Sequence, residues 1–453
     1  MTFLPNYFLT NLNHNCKMTN FKFIPLITFL SLIISCSGDD DPVIEYVTIT
    51  ETVTETETVE VEVDEYADST LEGKITSDKT LDASKVWLLR GRVSVESGST
   101  LTIPAGTIIK AASGTGADAS TLIIARGAKI IADGTADAPI IMTSVSDNIE
   151  VGGTYPSSGP ALGVTTRGLW GGMLILGNAP CSFSGDVTEL QIEGIPTSDT
   201  NGLYGGSDAA DNSGSVQYLS IRHGGAEIGE GNEINGLTLG GVGSGTKINH
   251  VEVVANVDDG IEFFGGTVNA TNLLVWGQGD DAIDIDQAYA GTIDGAMVIL
   301  TDASDHGFEV DGPEGSAAGS FTLKNATVLG ATKACSALGV NGEMADFRKA
   351  ATGNLSNILF KDFSGGKDVE LDASADAASY TAGTLTFANI DIIHPVIDGA
   401  VCSNVETLDK IFDDKSDEST FEADASTFAE VVTEQQTGNG VDASIFSWTF
   451  YAR

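Results

Sequence analysis

The chain has 453 residues, and its 64 acidic against 22 basic side chains give a formal net charge of -42. Phosphate recognition needs a basic footprint, so this composition excludes nucleic acid as a partner and favours metal cations over polyanions. Glycine is abundant (53 residues) and 42% of the chain is hydrophobic, which suits a long core interrupted by frequent turns.

The first element in chain order is an export signal. Lys17 and Lys22 flank the start of FIPLITFLSLIIS (23–35), a 13-residue apolar run. That run is too short to span a bilayer and suits a signal-peptide core. It ends in LIISC, which resembles the lipobox of bacterial lipoproteins, with Ser35 on the cleaved side and Cys36 receiving the lipid. Residues 1–35 are therefore read as the signal peptide, with Met18 as an alternative start. The SGDDDP cluster (37–42) resembles the surface-export signal of Bacteroidetes-type lipoproteins. It implies lipid anchoring in the outer membrane and display at the cell surface. Residues 43–66 form a Thr/Glu/Val tract, so that 36–68 act as an extended stalk. From Cys36 to Tyr66 the stalk reaches at most about 100 Å, at ~3.3 Å per residue. Once Cys16 is removed and Cys36 lipidated, Cys181, Cys335 and Cys402 remain, enough for one disulfide at most. Cys335–Cys402 is one of its pairings.

From residue 69 to 402 the chain runs in short β-branched segments broken by Gly, Asn and Asp, with no sustained helical period. NGLTLGG (235–241), DGIEFFGG (259–266), DAIDIDQ (281–287) and HGFEVDG (306–312) superpose without gaps, at offsets of 24, 22 and 25 residues. Each offset is one coil of a solenoid, in which matching residues stack about 4.8 Å apart. Alternation then gives two inward columns, Leu237/Ile261/Ile283/Phe308 and Leu239/Phe263/Ile285/Val310. Between them runs an outward column, Thr238/Glu262/Asp284/Glu309, which a one-residue slip would bury. The expected fold is all-β: a single-stranded right-handed parallel β-helix, the hand being the one that parallel crossovers favour. Two Gly/Ser/Asp-rich excursions, 146–167 and 181–215, leave the rhythm and are positioned to wall a groove. Residues 403–453 lose the repeat and read as a C-terminal cap.

HGGAEIG, NEINGLTLGG, DDGIEFFGG, GQGDDAIDID and DHGFEVDGPEG resemble a family of Bacteroidetes-type surface lipoproteins with pectin-lyase-like β-helices, a family with no established activity. A more distant resemblance is to the polygalacturonase-type glycoside hydrolases. VDDGI (257–261), GDDAI (279–283) and DHGF (305–308) stand where that family has its acidic and histidine motifs, one coil apart. The resemblance implies Asp259, Asp280, Asp281 and His306 as catalytic residues of an inverting hydrolase. The sequence departs from that family in reading VDD at the first motif, in Asp305 before the histidine, and in lacking the family's basic motif. From Ile248 through Leu323 there is no Lys or Arg, against 14 Asp and Glu. A uronate substrate therefore finds no cation on this stretch except a bound metal, and a lyase finds no Lys or Arg base unless a distant loop donates one.

The stacked turns place Asp258, Asp280 and Asp305 in one column and Asp259, Asp281 and His306 in the next, after Asn235. Carboxylates this close cannot all ionise freely. Three readings stand. Asp and Asn at solenoid turns hydrogen-bond backbone groups. Asp258, Asp259, Asp280, Asp281 and Asp305 supply the oxygens that calcium takes as ligands, about 6–8 of them, whereas a lone histidine poorly suits zinc. An inverting hydrolase holds two carboxyl groups about 6.5–9.5 Å apart, a gap that Asp259 and Asp280 are placed to span. The functional expectation is a lipoprotein whose β-helix binds an extracellular glycan, with calcium as its only cofactor. The alternatives are that hydrolase, and a scaffold or adhesin subunit of an outer-membrane protein complex. Arg222-His223 with Glu227 and Glu230 reads as a polar turn cluster; Trp170, Phe264, Trp276 and Tyr289 read as core.

Overall fold

The computed structural model describes residues 66–154, 162–227, 234–331, 342–363, 365–403 and 405–450. Cys36, the stalk before Tyr66, Cys335 and Glu230 lie outside the described residues. The chain winds as a right-handed parallel β-helix, 24 of the 28 strands among the described residues being joined into one ladder. Leu237 pairs with Ile261, Ile261 with Ile283 and Ile283 with Phe308, all in parallel register. The same column continues through Ala345 and Val369 to Phe412. Every member is at most 1% exposed, so the expected inward columns are the core. Each Leu, Ile, Val or Phe of the column contributes about 1.5–3 kcal/mol by leaving water.

The long strands opposite this sheet fold the coil's cross-section at one repeated point. Tyr218, His250, Asn272, Asn325, Asn357 and Asn389 all have φ between 49° and 57°. Asparagine tolerates that left-handed geometry, and its side chain can bond along the stack. Asn389 donates to Asn357 at 3.0 Å and Asn357 to Asn325 at 3.0 Å. On the earlier coils the same place is held by Tyr218 and His250, whose rings stack at 4.2 Å.

Three expectations change. A short α-helix, Ser374–Thr381, interrupts the strand pattern. Eight residues that bury only Asp376, Ala377 and Ser379 are too few to leave a helical period in the sequence. Parallel pairing also runs past residue 402: Phe412–Asp414 lies on Val369–Leu371, and Ala429–Val431 on Ile390–Ile392. Helices Leu408–Ile411 and Phe421–Phe428 then close the end, with Phe387, Phe412, Phe421 and Phe428 packed ring on ring. Finally, the tail turns back and crosses earlier coils. Gln436 N donates to Asp391 Oδ2 (2.6 Å), Val441 N to Thr327 Oγ1 (3.0 Å), and the Arg222 guanidinium stands 4.9 Å over Phe450. The outer face there carries Leu274 and Met297, and Val441 and Phe446 cover them.

Arg222 and His223, read as a polar turn cluster, are each 1% exposed, with this tail and Thr154 against Arg222. Arg222 donates to Ser220 Oγ (2.8 Å) and to the Thr154 carbonyl (3.0 Å), with the Glu252 carboxylate at 3.9 Å. Trp170, Phe264 and Tyr289 are buried, as expected for core. Cys402 is disulfide-bonded, whereas Cys181 is a free thiol that burial pushes up to about 12. No helix of the described residues is long and apolar enough to cross a membrane.

The stacked core predicts that Ile283→Ala lowers the unfolding free energy by about 2–5 kcal/mol. Denaturant unfolding followed by circular dichroism reads this directly, and a loss within error of zero would contradict the column.

Candidate functional site

Three acidic turns, Asp258-Asp259, Asp280-Asp281 and Asp305-His306, stand at the leading edge of successive strands. Each is followed by a small residue because the coil passes close to its neighbours. At Gly260 an added Cβ would stand 2.3 Å from Val275 Cγ1. The inner column is a hydrogen-bonded ladder. Asn235 Oδ1 accepts the Asp259 N–H (3.2 Å), Asp259 Oδ1 accepts that of Asp281 (2.9 Å), and Asp281 Oδ1 accepts that of His306 (2.7 Å). The same Asp281 oxygen lies 2.8 Å from His306 Nδ1. One oxygen of each inner aspartate is thus committed to holding the next coil, which is the structural use expected of turn aspartates.

The structure brings all the sequence-predicted residues together in overlapping groups. Asp258, Asp259 and Asp280 offer oxygens within 4.8 Å of one another, and so do Asp280, Asp281 and Asp305. Asp281, His306 and Glu309 form a third such group. The diagonal pair Asp259/Asp280 is therefore closer than the about 6.5–9.5 Å that an inverting hydrolase leaves for its water. In-register stacking draws the two turns together. Asp280 and Asp305 are exposed, whereas Asp259 and Asp281 are buried.

The outward column differs from expectation in its burial. Thr238, Glu262, Asp284 and Glu309 point away from the core yet are only 2%, 5%, 7% and 9% exposed. Two segments crowd this face. Tyr204, from the second excursion, packs on Phe264 and donates to Gln287 (2.9 Å), and the 312–320 loop is tied to that excursion by Ser316 N to Asp186 (2.6 Å). Asp259, Glu262 and Asp284 form a wholly buried trio with oxygens within 4.8 Å. Asn235 Nδ2 donates to Glu262, but Asp284 Oδ1 is buried with no hydrogen-bond partner. The column also runs further than the repeat reveals: Glu309 pairs with Asp346, Asp346 with Glu370 and Glu370 with Asp413.

Stacking acids at this spacing perturbs them strongly. Burial, then the charges of Asp284, Asp281 and Asp258, hold the Asp259 carboxyl well above the usual range. Burial and neighbouring carboxylates do the same to Glu262 and Asp284. Burial foremost pushes Asp286, Asp346 and Asp368 up to about 7 each, and it raises Asp280 as well. Burial alone would lower His306, but its bond to Asp281 and the charges of Asp281, Asp305 and Asp346 carry it to about 9.

Cations reach this face from outside the stretch that lacks them, which corrects the expectation of a metal as the sole positive charge. Arg348 contacts Glu309 and donates to both oxygens of Asp311 (2.7 and 3.2 Å), and Lys349 reaches Asp311 at 2.5 Å. Lys415 lies 2.8 Å from Asp413 and 3.0 Å from Glu370. Arg167, at the end of the first excursion, lies against the turn before Asp280: a Cβ on Gly279 would stand 3.0 Å from its Nη1. Its one hydrogen bond among the described residues goes to the Val164 carbonyl.

Coil after coil, then, a parallel ladder carries its polar turns on one edge of one sheet. The sequence model of the pectate-lyase-like β-helix domain matches residues 73–451. The chain belongs to that family. No curated protein and no solved structure matches it. The pectate-lyase-like fold accounts for the in-register edge. Sequence reasoning missed Asp346, Glu370, Asp413, Arg348 and Lys349. EMADFRK (343–349) has the same apolar/acid alternation as HGFEVDG, but the 37-residue step from Glu309 to Asp346 hides the repeat. Nothing in sequence pointed to Arg167.

The raised carboxylates set the sign of the pH dependence. A carboxyl whose pKa rises on folding stabilises the fold below its ordinary range, and that stability is lost as pH climbs through the folded value. Asp286, Asp346 and Asp368 place this loss between about pH 4 and 7, and His306 extends it toward about 9. The melting temperature in chelator is therefore expected to fall from pH 5 to pH 8; a flat or rising profile would contradict the buried acid cluster.

Proposed function

We propose that this protein is a lipid-anchored, surface-displayed lipoprotein of the outer membrane that binds an extracellular glycan, with a calcium-like divalent cation held in its acid cluster. The observation that supports the cation is the buried Asp259/Glu262/Asp284 trio, with Asp284 Oδ1 unpartnered inside it, while the anchor rests on the LIISC and SGDDDP sequence alone. The donor set fits a hard cation, since every offered atom is a carboxylate oxygen. These three residues would hold the ion, with Asp258, Asp280, Asp281 and Asp305 as its outer edge. A bound ion supplies positive charge that lets the carboxylates ionise together. The chain's own exposed groups then face the glycan. Asp280 and Asp305 accept sugar hydroxyls, while Arg167, Arg348 and Lys349 donate to hydroxyl or carboxylate oxygens. An edge repeating at every coil matches an extended, repeating ligand.

A second reading rests on the Asp281–His306 contact and on the exposed, raised Asp280 beside it. In a glycoside hydrolase, Asp280 would give its proton to the leaving oxygen. Asp281, held by His306 and within 4.8 Å of Asp280, would stand at the short spacing of a retaining enzyme and attack the sugar carbon that the leaving oxygen quits, water then releasing the sugar. Asp259 would then serve to position Asp281 through its backbone N–H.

Calcium is expected to raise the melting temperature at pH 8 and to remove most of its fall with pH; no effect of calcium or chelator would eliminate the ion. On a glycan array, binding should require calcium, and Asp280→Ala with Asp305→Ala should weaken it at least about tenfold. Release of reducing ends that Asp281→Asn abolishes would replace binding with hydrolysis. An array without signal, with an outer-membrane protein co-purifying instead, would favour the scaffold role. Separately, Cys36→Ser should move the protein from the membrane to the soluble fraction, and unchanged fractionation would refute the anchor.

A further inference from the structure

A second polar site lies at the opposite edge of the same sheet, where the strands end. The turn after Val86–Val95, the turn after Thr121–Ile124 and the segment after Met173–Leu176 stack there, and the second excursion arches back over them. Between them is a cavity of ≈ 570 Å³, lined by Ser97, Arg126, Asn178, Glu189, Ser207 and Asp211 among others. That volume is in the range of small-molecule sites, about 300–1,000 Å³.

Its frame is tied down independently of any ligand. Arg126 donates to the Gly205 carbonyl (2.8 Å) and to Glu189 (2.6 Å), clamping the excursion onto the coil. Gly205 N bonds the Gly177 carbonyl (3.0 Å), Asp208 N bonds that of Asn178 (2.9 Å), and Gly98 N bonds that of Gly127 (2.9 Å). Two glycines keep the space open. A Cβ at Gly127 would stand 2.6 Å from Ser97 Oγ, and one at Gly206 would stand 2.1 Å from Asn178 Oδ1. The side-chain amide of Asn178 and the Ser97 and Ser207 hydroxyls line the space, and half-buried Asp211 stands beside them, accepting from Ser213 Oγ (3.3 Å) and the Asn178 backbone N–H.

The geometry points to a binding site for one or two neutral sugar units in this cavity. Two carboxylates against one guanidinium, already engaged, disfavour an anion. An amide, hydroxyls and a carboxylate together match the paired donors and acceptors of a vicinal diol. The lining residues are polar or glycine, with no aromatic or aliphatic residue among them, which disfavours a purely hydrophobic ligand. This site stands apart from the acid cluster and does not depend on what that cluster binds.

Saturation-transfer NMR and calorimetry on the full chain, with chelator present, test it. The probes are the methyl glycosides of glucose, galactose, mannose and N-acetylglucosamine, with glucuronate as the anionic comparison. At least one neutral glycoside is expected to bind with one-to-one stoichiometry. Asn178→Ala should weaken it about tenfold, the effect of one net hydrogen bond. Ser207→Trp, which fills the cavity from its exposed rim, should abolish binding. Melting curves confirm that each variant folds. The site is overturned if no neutral glycoside binds, if glucuronate binds better, or if folded Ser207→Trp binds as the native chain does.

Discussion

In a parallel solenoid the backbone of each coil is hydrogen-bonded to the coils before and after it, so neighbouring rungs sit about 4.8 Å apart and cannot slide. Whatever side chain occupies one position is repeated, at that spacing, by its counterparts. For Leu237, Ile261, Ile283 and Phe308 the repetition is favourable, since each buries the next. For Glu262, Asp284, Glu309, Asp346, Glu370 and Asp413 it sets like charges on consecutive rungs with no freedom to separate. Most of what distinguishes this molecule follows from how that second column is tolerated.

Three devices share the task. In the adjoining column of turn acids, backbone N–H groups of the following coil bond one oxygen each of Asp259 and Asp281, which converts that repulsive stack into a ladder. Arg348, Lys349 and Lys415 enter at the later rungs, where the column is more accessible. In the middle no basic side chain pairs with Asp259, Glu262 or Asp284 among the described residues, and burial raises their pKa values together. A proton or an external cation must fill that gap, because three buried carboxylates cannot all remain charged. The electrostatic strain is therefore concentrated on a few coils, at the edge where a ligand can reach exposed Asp280 and Asp305.

Segments that leave the coil decide which parts of the solenoid meet water. The second excursion and the 312–320 loop bond to each other and crowd the acid face, while the C-terminal tail covers the apolar stripe around Leu274 and Met297. Asp186, Ser316, Val441 and Phe446 are thus as important to the shape of the surface as any strand residue. The same excursion that shields Glu262 and Asp284 on one side builds the polar cavity beside Asn178 on the other.

The sequence by itself determined the fold, the coil length and the inward and outward faces. A period of two along each strand and of 22–25 residues between strands leaves one register, and local alternation is enough to read it. It also located Asp259, Asp280, Asp281 and His306 as neighbours, since residues one coil apart must touch. Tertiary structure alone decided that the outward acids are buried, that Asp346 continues the column across a 37-residue step with Arg348 and Lys349 pairing its neighbours, and that Arg167 lies beside Gly279. The reason is physical: periodicity specifies contacts between equivalent positions. Where a long excursion comes to rest depends on packing between residues that no period relates.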